Sequence, residues 1–288
     1  MLAVPIIIPF YKEHEKLRQC LDAIQAQTHR GCEPFVRDNT HDNILFTAAV
    51  NEGLAKHAFR PEVRYVMVLN QDAYMDPDCV QRLLEFMEAH PGCGIACPLQ
   101  YAETAAGRKV SWAGSLDAFP DGRHRLGQLA DYRDPFETAW ANGACMMIRT
   151  DVVREIGVFD RNLRFICSDS DYSFTARARG WNVFVVPQAR VHHALSGSGS
   201  QSSREIQLVK CRDVVYFAEK WLTGGLYRQM AHEGAGLTPI TVRRTLRKYR
   251  DHIGQLERLL GVAPKDRPVP MPLVELSMGV LPPLRPKF

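Results

Sequence analysis

Apolar positions along the chain follow two rhythms. Residues 2–8 (LAVPIII) form an unbroken, largely β-branched run closed by Pro9. That is the pattern of a strand covered on both faces, as in a parallel sheet. Residues 14–27 then bring Leu17, Cys20, Leu21 and Ile24 to one side of a helix. The alternation continues. Residues 34–37 predict a short strand ending at Asp38, and residues 44–57 a helix with Asn43 as its cap. Residues 65–69 predict a strand. Residues 78–90 predict a helix with Val80, Leu83, Leu84 and Met87 inward, ended by Pro91-Gly92, and residues 94–98 a further strand. Strand and helix in turn are the signature of βαβ units and of an α/β fold with a mostly parallel sheet flanked by helices.

Residues 100–140 are rich in Gly, Arg and Asp and read as loops and short strands. Order returns from Ala141. Residues 151–156 predict a short helix, and residues 172–179 another, closed by Gly180. Residues 182–186 predict a strand stopped by Pro187, and residues 206–222 a helix. The stretch SGSGSQSS after His193 reads as a mobile loop, and the Pro-rich chain from Pro264 as an extended tail. The division this suggests is an α/β domain over residues 1–203 and a helical C-terminal extension with a Pro-rich tail over 204–288.

Composition narrows the class. The 288 residues, 45% apolar and 9% aromatic, suit one large or two small globular domains. No apolar run approaches the ~20 residues that span a bilayer. The opening MLAVPIIIPFYKEHEK lacks a basic start and is interrupted by Pro5 and Pro9, so it reads as a buried strand rather than a signal peptide. A net charge of +4 is too weak to argue for nucleic acid. None of the eight cysteines forms a CxxC pair. Reduced, buried thiols in a cytoplasmic protein fit better than a disulfide framework or a zinc site.

In parallel sheets, ligands bind beyond the carboxyl ends of the strands. Pro9-Phe10-Tyr11, Asp38-Asn39 and Asn70-Gln71-Asp72 each follow a strand and should meet on one edge. The turn PFYKEH has no glycines to let backbone approach a pyrophosphate, which excludes a dinucleotide dehydrogenase. There is no Walker A sequence and no GxSxG elbow. A diphosphate can instead be held through a divalent cation, and Asp72 at a strand end suits that use, or else is a turn aspartate. Asp76 and Asp78 read as helix-entry caps. In CSDSDYSFTARARGW, Asp169 and Asp171 flank a serine ahead of a helix. One acid suffices for capping, so the other is a candidate base. His192-His193 at a strand exit reads as a ligand site. Trp112, Trp140 and Tyr132 offer aromatic faces of the kind that stack on sugar rings, against core packing as the commoner fate of Trp. The run RRTLRKYR, with five basic residues in eight, is either a solvated helix face or a surface for anionic lipid headgroups.

Six segments together resemble family 2 glycosyltransferases, which have the GT-A fold. They are PIIIPFYKEHEKLRQCLDAIQAQTH, VRDN, FTAAVNEGLAKHA, LNQDAYMDPD, NGACMMIRTDVVREIGVFD and DSDYSFTARARGWNVFVVPQARVHH, in order over roughly residues 3–200. The resemblance, closest to rhamnosyltransferase-like members, implies a GT-A domain and a place in bacterial polysaccharide biosynthesis. It implies that Pro9, Phe10 and Tyr11 line the nucleotide base with Glu13 nearby, and that Asp38 hydrogen-bonds the base. It further implies that Asp72, beside Asn70, binds a divalent metal (Mn or Mg) on the donor diphosphate. His193 is then a second metal ligand, with His192 the less favoured neighbour, and Asp169 is the general base. Two positions depart from the pattern. Asn70 stands where the metal motif usually has its first Asp. Ser168 replaces the Glu before the catalytic Asp, which leaves Asp171 as the other base. The implied activity is inverting transfer from a UDP- or dTDP-sugar to a hydroxyl of a glycan or lipid-linked glycan. The implied location is the cytoplasm, with peripheral contact at the inner membrane face. The other reading is a non-catalytic nucleotide-sugar or glycan-binding relative, which Asn70 and Ser168 favour.

Overall fold

The computed structural model describes residues 2–115, 124–194, 203–222 and 238–262. The Gly/Ser stretch after His193, up to Ser202, and the Pro-rich tail lie outside the described residues. The first strand, β1 (Val4–Phe10), lies between β2 (Cys32–Asp38) and β3 (Tyr65–Leu69) and is parallel to both. Its side chains alternate: Ile7 packs into one layer, Ile6 and Ile8 into the other, all fully buried. This is why the run is apolar at every position. Pro9 does not stop the strand. It falls where β1 has run past its last pair with β3, at Ile7 and Val68, while pairing with β2 continues to Phe10 and Asp38.

The remaining strands are β4 (Ala73–Met75), β5 (Cys93–Thr104), β6 (Gly107–Trp112), β7 (Phe136–Glu137), β8 (Cys145–Arg149) and β9 (Asn182–His193). The sheet order is β2-β1-β3-β8-β5-β9-β4, with β6 on β5 and β7 on β9. Among the strands from β2 to β9 in this order, only β8 is reversed, pairing antiparallel with both β3 and β5. Helices cover both faces. α1 (His14–Gln25) and α3 (Cys79–Ala89) pack on the Ile6/Ile8 side. α2 (Leu45–His57), α4 (Thr150–Ile156) and α5 (Ser168–Ala178) pack on the Ile7 side. A third apolar cluster joins α6 (Arg204–Trp221) and α7 (Pro239–Leu260) to Phe174 of α5. Among the described residues no helix is long and apolar enough to cross a membrane. All eight cysteines are free, six of them buried.

Several expectations change here. The strand expected at residues 94–98 extends to Thr104, and the one expected to stop at Pro187 continues to His193. Pro187 sits in a bulge. Val186 pairs with Pro98 and Arg190 with Leu99, so three residues of β9 are passed over for none of β5. Asp78 occupies the N-cap position of α3 but its side chain pairs with Arg82, and Asp76 accepts from the Tyr101 hydroxyl. The side-chain cap comes instead from Gln27, whose Oε1 accepts from Val80 N at 3.0 Å. Asn43 Oδ1 does accept from Leu45 N at the start of α2. Gly180 follows α5 with φ +88°, where a side chain would be strained.

Candidate active site

Beyond the carboxyl ends of β1, β2 and β3 lies a cavity of about 430 Å³, lined by Pro9, Tyr11, Glu13, Asn39, Asn70 and Asp72 together with the start of α2. Gln71 organises its rim: its Oε1 accepts from Tyr11 N at 2.6 Å, and its Nε2 donates to Glu13 Oε2 at 3.1 Å. Tyr11 is 41% exposed at the mouth, with Lys12 Nζ 4.8 Å over its ring. Phe10, expected to line the nucleotide, does not. Its side chain is buried and its ring packs on His14, because strand alternation turns it away from its neighbours Pro9 and Tyr11. Asp38 does not line the cavity either. Its carboxylate accepts from Thr40 N on the exposed side, and the adjoining Asn39 takes the inward place. Asn39 is 4% exposed, and its Oδ1 has no hydrogen-bond partner among the described residues.

The short strand β4 pairs antiparallel with the end of β9, setting Ala73 opposite His193. Ala194 N donates to Asp72 O, and the two side chains meet with His193 Nε2 3.5 Å from Asp72 Oδ1. His192 points to the other face of the strand, between the rings of Tyr74 and Tyr101. Of the two histidines, only His193 reaches the site. Among the described residues no group of three or more His, Cys, Asp and Glu side chains could hold a metal. Asp72 and His193 therefore offer one oxygen and one nitrogen. That is a partial ligand set, suited to a cation that keeps other positions for phosphate oxygens and water.

A second cavity, about 450 Å³, lies alongside and contains Asp169, Ser168, Gly143, Trp140 and His193. Phe46, Asn70 and Phe165 line both cavities and form their common wall. Asp169 stands in the first turn of α5, half-buried. Its Oδ2 accepts from Gly143 N at 2.9 Å and its Oδ1 from Ser170 N at 2.8 Å. Two carboxylate oxygens have roughly four lone-pair positions, so these bonds do not exhaust the group's capacity to accept a proton. Burial pushes the Asp169 carboxyl above its ordinary range, against the pull of the Gly143 and Ser170 amides. Gly143 lets the chain come close, since a Cβ there would lie 3.2 Å from Phe46 and 3.3 Å from Asp169, tight enough that these side chains would have to shift.

Asp171 faces away from both cavities. It is fully engaged with α6, accepting from Trp221 Nε1 at 2.6 Å and pairing with Lys220 Nζ at 2.8 Å. Lys220 also pairs with Asp160, which accepts from Tyr216 as well. One turn before Tyr216, buried Asp213 accepts three successive backbone N–H groups, from Arg164, Phe165 and Ile166, at 3.1, 2.7 and 2.9 Å. Burial pushes its carboxyl up to about 6 despite those amides. α6 thus splints residues 160–171, the segment that carries Asp169 and part of the common wall. This function of Asp213, Tyr216, Lys220 and Trp221 is absent from the sequence reading. Their only signal is an unusual number of polar side chains on the inward face of a helix.

Of the aromatic candidates, Trp140 lines the second cavity. Trp112 is buried with its Nε1 donating to Ser115, and Tyr132 is buried with its hydroxyl donating to Leu126 O. Tyr249 of α7 also reaches the second cavity. Asp72, Asp169 and His193 therefore converge on the joined cavities, whereas Asp38 does not.

Residues 65–261 match the family model described as glycosyl transferase family group 2. The O-antigen biosynthesis protein RfbC of Myxococcus xanthus is 24% identical over 259 residues, which are 78% of this chain but 19% of that protein. The chain thus spans about a fifth of that relative's length. An N-acetylglucosaminyl-diphospho-decaprenol L-rhamnosyltransferase of Mycobacterium tuberculosis is 21% identical over 294 residues, covering 86% of this chain and 95% of the relative. In fold, the chain is similar to GalNAc-T7, solved with UDP, GalNAc and Mn2+. The TM-score is 0.59 at 14% identity, over 95% of this chain and 59% of that one.

Proposed function

Taking as its basis that the chain belongs to glycosyl transferase family group 2 and is a glycosyltransferase of GT-A fold, we propose an inverting transfer. The sugar moves from a nucleotide-diphosphate donor to a hydroxyl of a glycan or lipid-linked glycan. The observation that carries this reading is the pair of cavities with one common wall. Asp72 stands at the first, Asp169 and His193 at the second, and the Asp72–His193 contact bridges the two.

The base of the donor, a uracil or thymine, stacks at Tyr11 and meets the inward Asn39 amide. Its diphosphate lies toward Asp72 and His193. Asp72 and His193 are the side chains that would hold a divalent cation there, and such an ion would supply positive charge against the leaving diphosphate. The acceptor sugar lies against Trp140, with its hydroxyl at Asp169. Asp169 takes the hydroxyl proton as the oxygen forms its bond to the anomeric carbon. The bond to the diphosphate oxygen breaks on the opposite side, which inverts the configuration. Gly143 and Ser170 hold the carboxylate in place during this step. The acceptor side also has a membrane reading: Tyr249 belongs to the helix that bears the basic run, so a lipid-linked acceptor approaches along an anionic membrane surface.

A positioned general base supplies about 10²–10⁴ in rate. Asp169→Asn should therefore lower transfer at least about a hundredfold while calorimetry shows donor affinity near wild type. Asp72→Ala should weaken donor and Mn2+ binding together. An Asp169→Asn enzyme with undiminished turnover would show that another group takes the proton. Donor binding by the wild type without transfer to any of a broad acceptor set would favour the non-catalytic reading.

A further inference from the structure

Gln100 lies on β5, one strand away from His193, and is 1% exposed. Its Oε1 is 3.2 Å from His193 Nδ1, while its Nε2 is buried with no hydrogen-bond partner among the described residues. A buried amide that leaves one end unpaired is a costly residue in a strand, and its oxygen is turned toward the histidine. A carbonyl oxygen only accepts, so this contact requires the proton on Nδ1. In the neutral ring His193 Nε2 then carries a lone pair toward Asp72 Oδ1, 3.5 Å away, whereas in the imidazolium it donates to that carboxylate. Two acceptors facing each other at this distance repel unless a positive charge, a metal ion or the second proton of the imidazolium, lies between them. With the amide reversed, Nδ1 would accept and Nε2 would carry the proton. His193 and Asp72 would then be an ordinary donor–acceptor pair with no lone pair to offer a metal.

We propose that Gln100 is a positioning residue that holds His193 as its Nδ1–H tautomer and so presents Nε2 to a divalent cation beside Asp72. The cation half of this statement rests on the metal reading above; the tautomer half does not. Partners of this kind behind a ligating histidine typically change metal affinity 10–100-fold when removed.

The test uses the full chain with ¹⁵N-labelled histidine and no metal, the His193 signals being assigned by comparison with His193→Ala. Wild type should show ¹⁵N shifts of a ring protonated at Nδ1, as the imidazolium beside Asp72 or as the neutral Nδ1–H form. Gln100→Leu should lose that preference, and Gln100→Glu, which keeps an acceptor, should retain it. Calorimetry with Mn2+ in the presence of UDP should then show roughly 10–100-fold weaker binding for Gln100→Leu than for wild type. The Nε2–H form in wild type overturns the proposal without any variant, and an unchanged tautomer in a folded Gln100→Leu overturns it equally. A wild type with the Nδ1–H form, lost in Gln100→Leu, that binds no Mn2+ with UDP supports the tautomer assignment and brings down the metal reading alone.

Discussion

At the scale of single residues, the proposed chemistry depends on what surrounds one carboxylate. Burial holds Asp169 above the ordinary carboxylate range, near 3.9, and the Gly143 and Ser170 amides oppose that shift without cancelling it. The working form of a general base is the charged one. As pH falls, a carboxyl with a raised pKa takes up its proton earlier, so kcat should decline on the acid side at a pH above the ordinary carboxylate range. It should be level above that point. A kcat profile at saturating donor checks this, and the residual rate of Asp169→Asn should lack the same acid limb. An unshifted limb, near pH 4, would mean that Asp169 is more solvated than its surroundings imply. Asp72 and Asp169 are legible in the sequence because each stands at a strand or helix end, where local pattern fixes direction. Asn39 and Gln100 are not. Their use depends on neighbours far away in the chain: Gln100 meets His193 only because β5 and β9 lie side by side.

At the scale of elements, α6 matters through the three charged groups it brings together. Lys220 is largely buried, and burial alone would lower its pKa, but Asp171 and Asp160 outweigh that and keep the ammonium charged. Removing one partner of a buried ion pair typically costs 3–5 kcal/mol, because the other charge stays behind unpaired. Lys220→Met should therefore destabilise the fold by about that amount in urea unfolding. A loss below about 1 kcal/mol would mean that water reaches the pair. Most helices are readable from periodicity, and α3 and α6 match within two residues at each end, but α5 begins at Ser168, four residues before the expected start, and so takes Asp169 and Asp171 into its first turn. The strands were less so. β8 is a short apolar run, which local pattern cannot tell from a piece of buried helix, and only its partners β3 and β5 define it. β9 outruns Pro187 because a bulge removes the proline from the ladder, an adjustment that depends on β5 alongside.

At the scale of the whole molecule, basic charge is gathered on the exposed face of α7, the helix whose Tyr249 lines the second cavity. α7 buries Val242, Leu246, Ile253 and Leu256 against its neighbours, while Arg243, Arg244, Arg247, Lys248 and Arg250 are exposed. Arg250 also reaches Glu219 of α6 at 2.8 Å. A basic residue near an anionic membrane surface contributes about 1 kcal/mol of attraction. The chain should co-sediment with vesicles containing phosphatidylserine in preference to purely zwitterionic ones. Binding should weaken as salt rises, and more so when Arg244, Arg247 and Lys248 are changed to Gln. Equal recovery with both vesicle types would retire the membrane reading. A sequence reading finds the basic run, but not that the same helix sends Tyr249 into the second cavity. The wall built from Phe46, Asn70 and Phe165 has a consequence of its own. With donor and acceptor in the two cavities as proposed, selectivity for them is not separable, because trimming Phe46 to admit a bulkier sugar on one side would also loosen the choice of partner on the other.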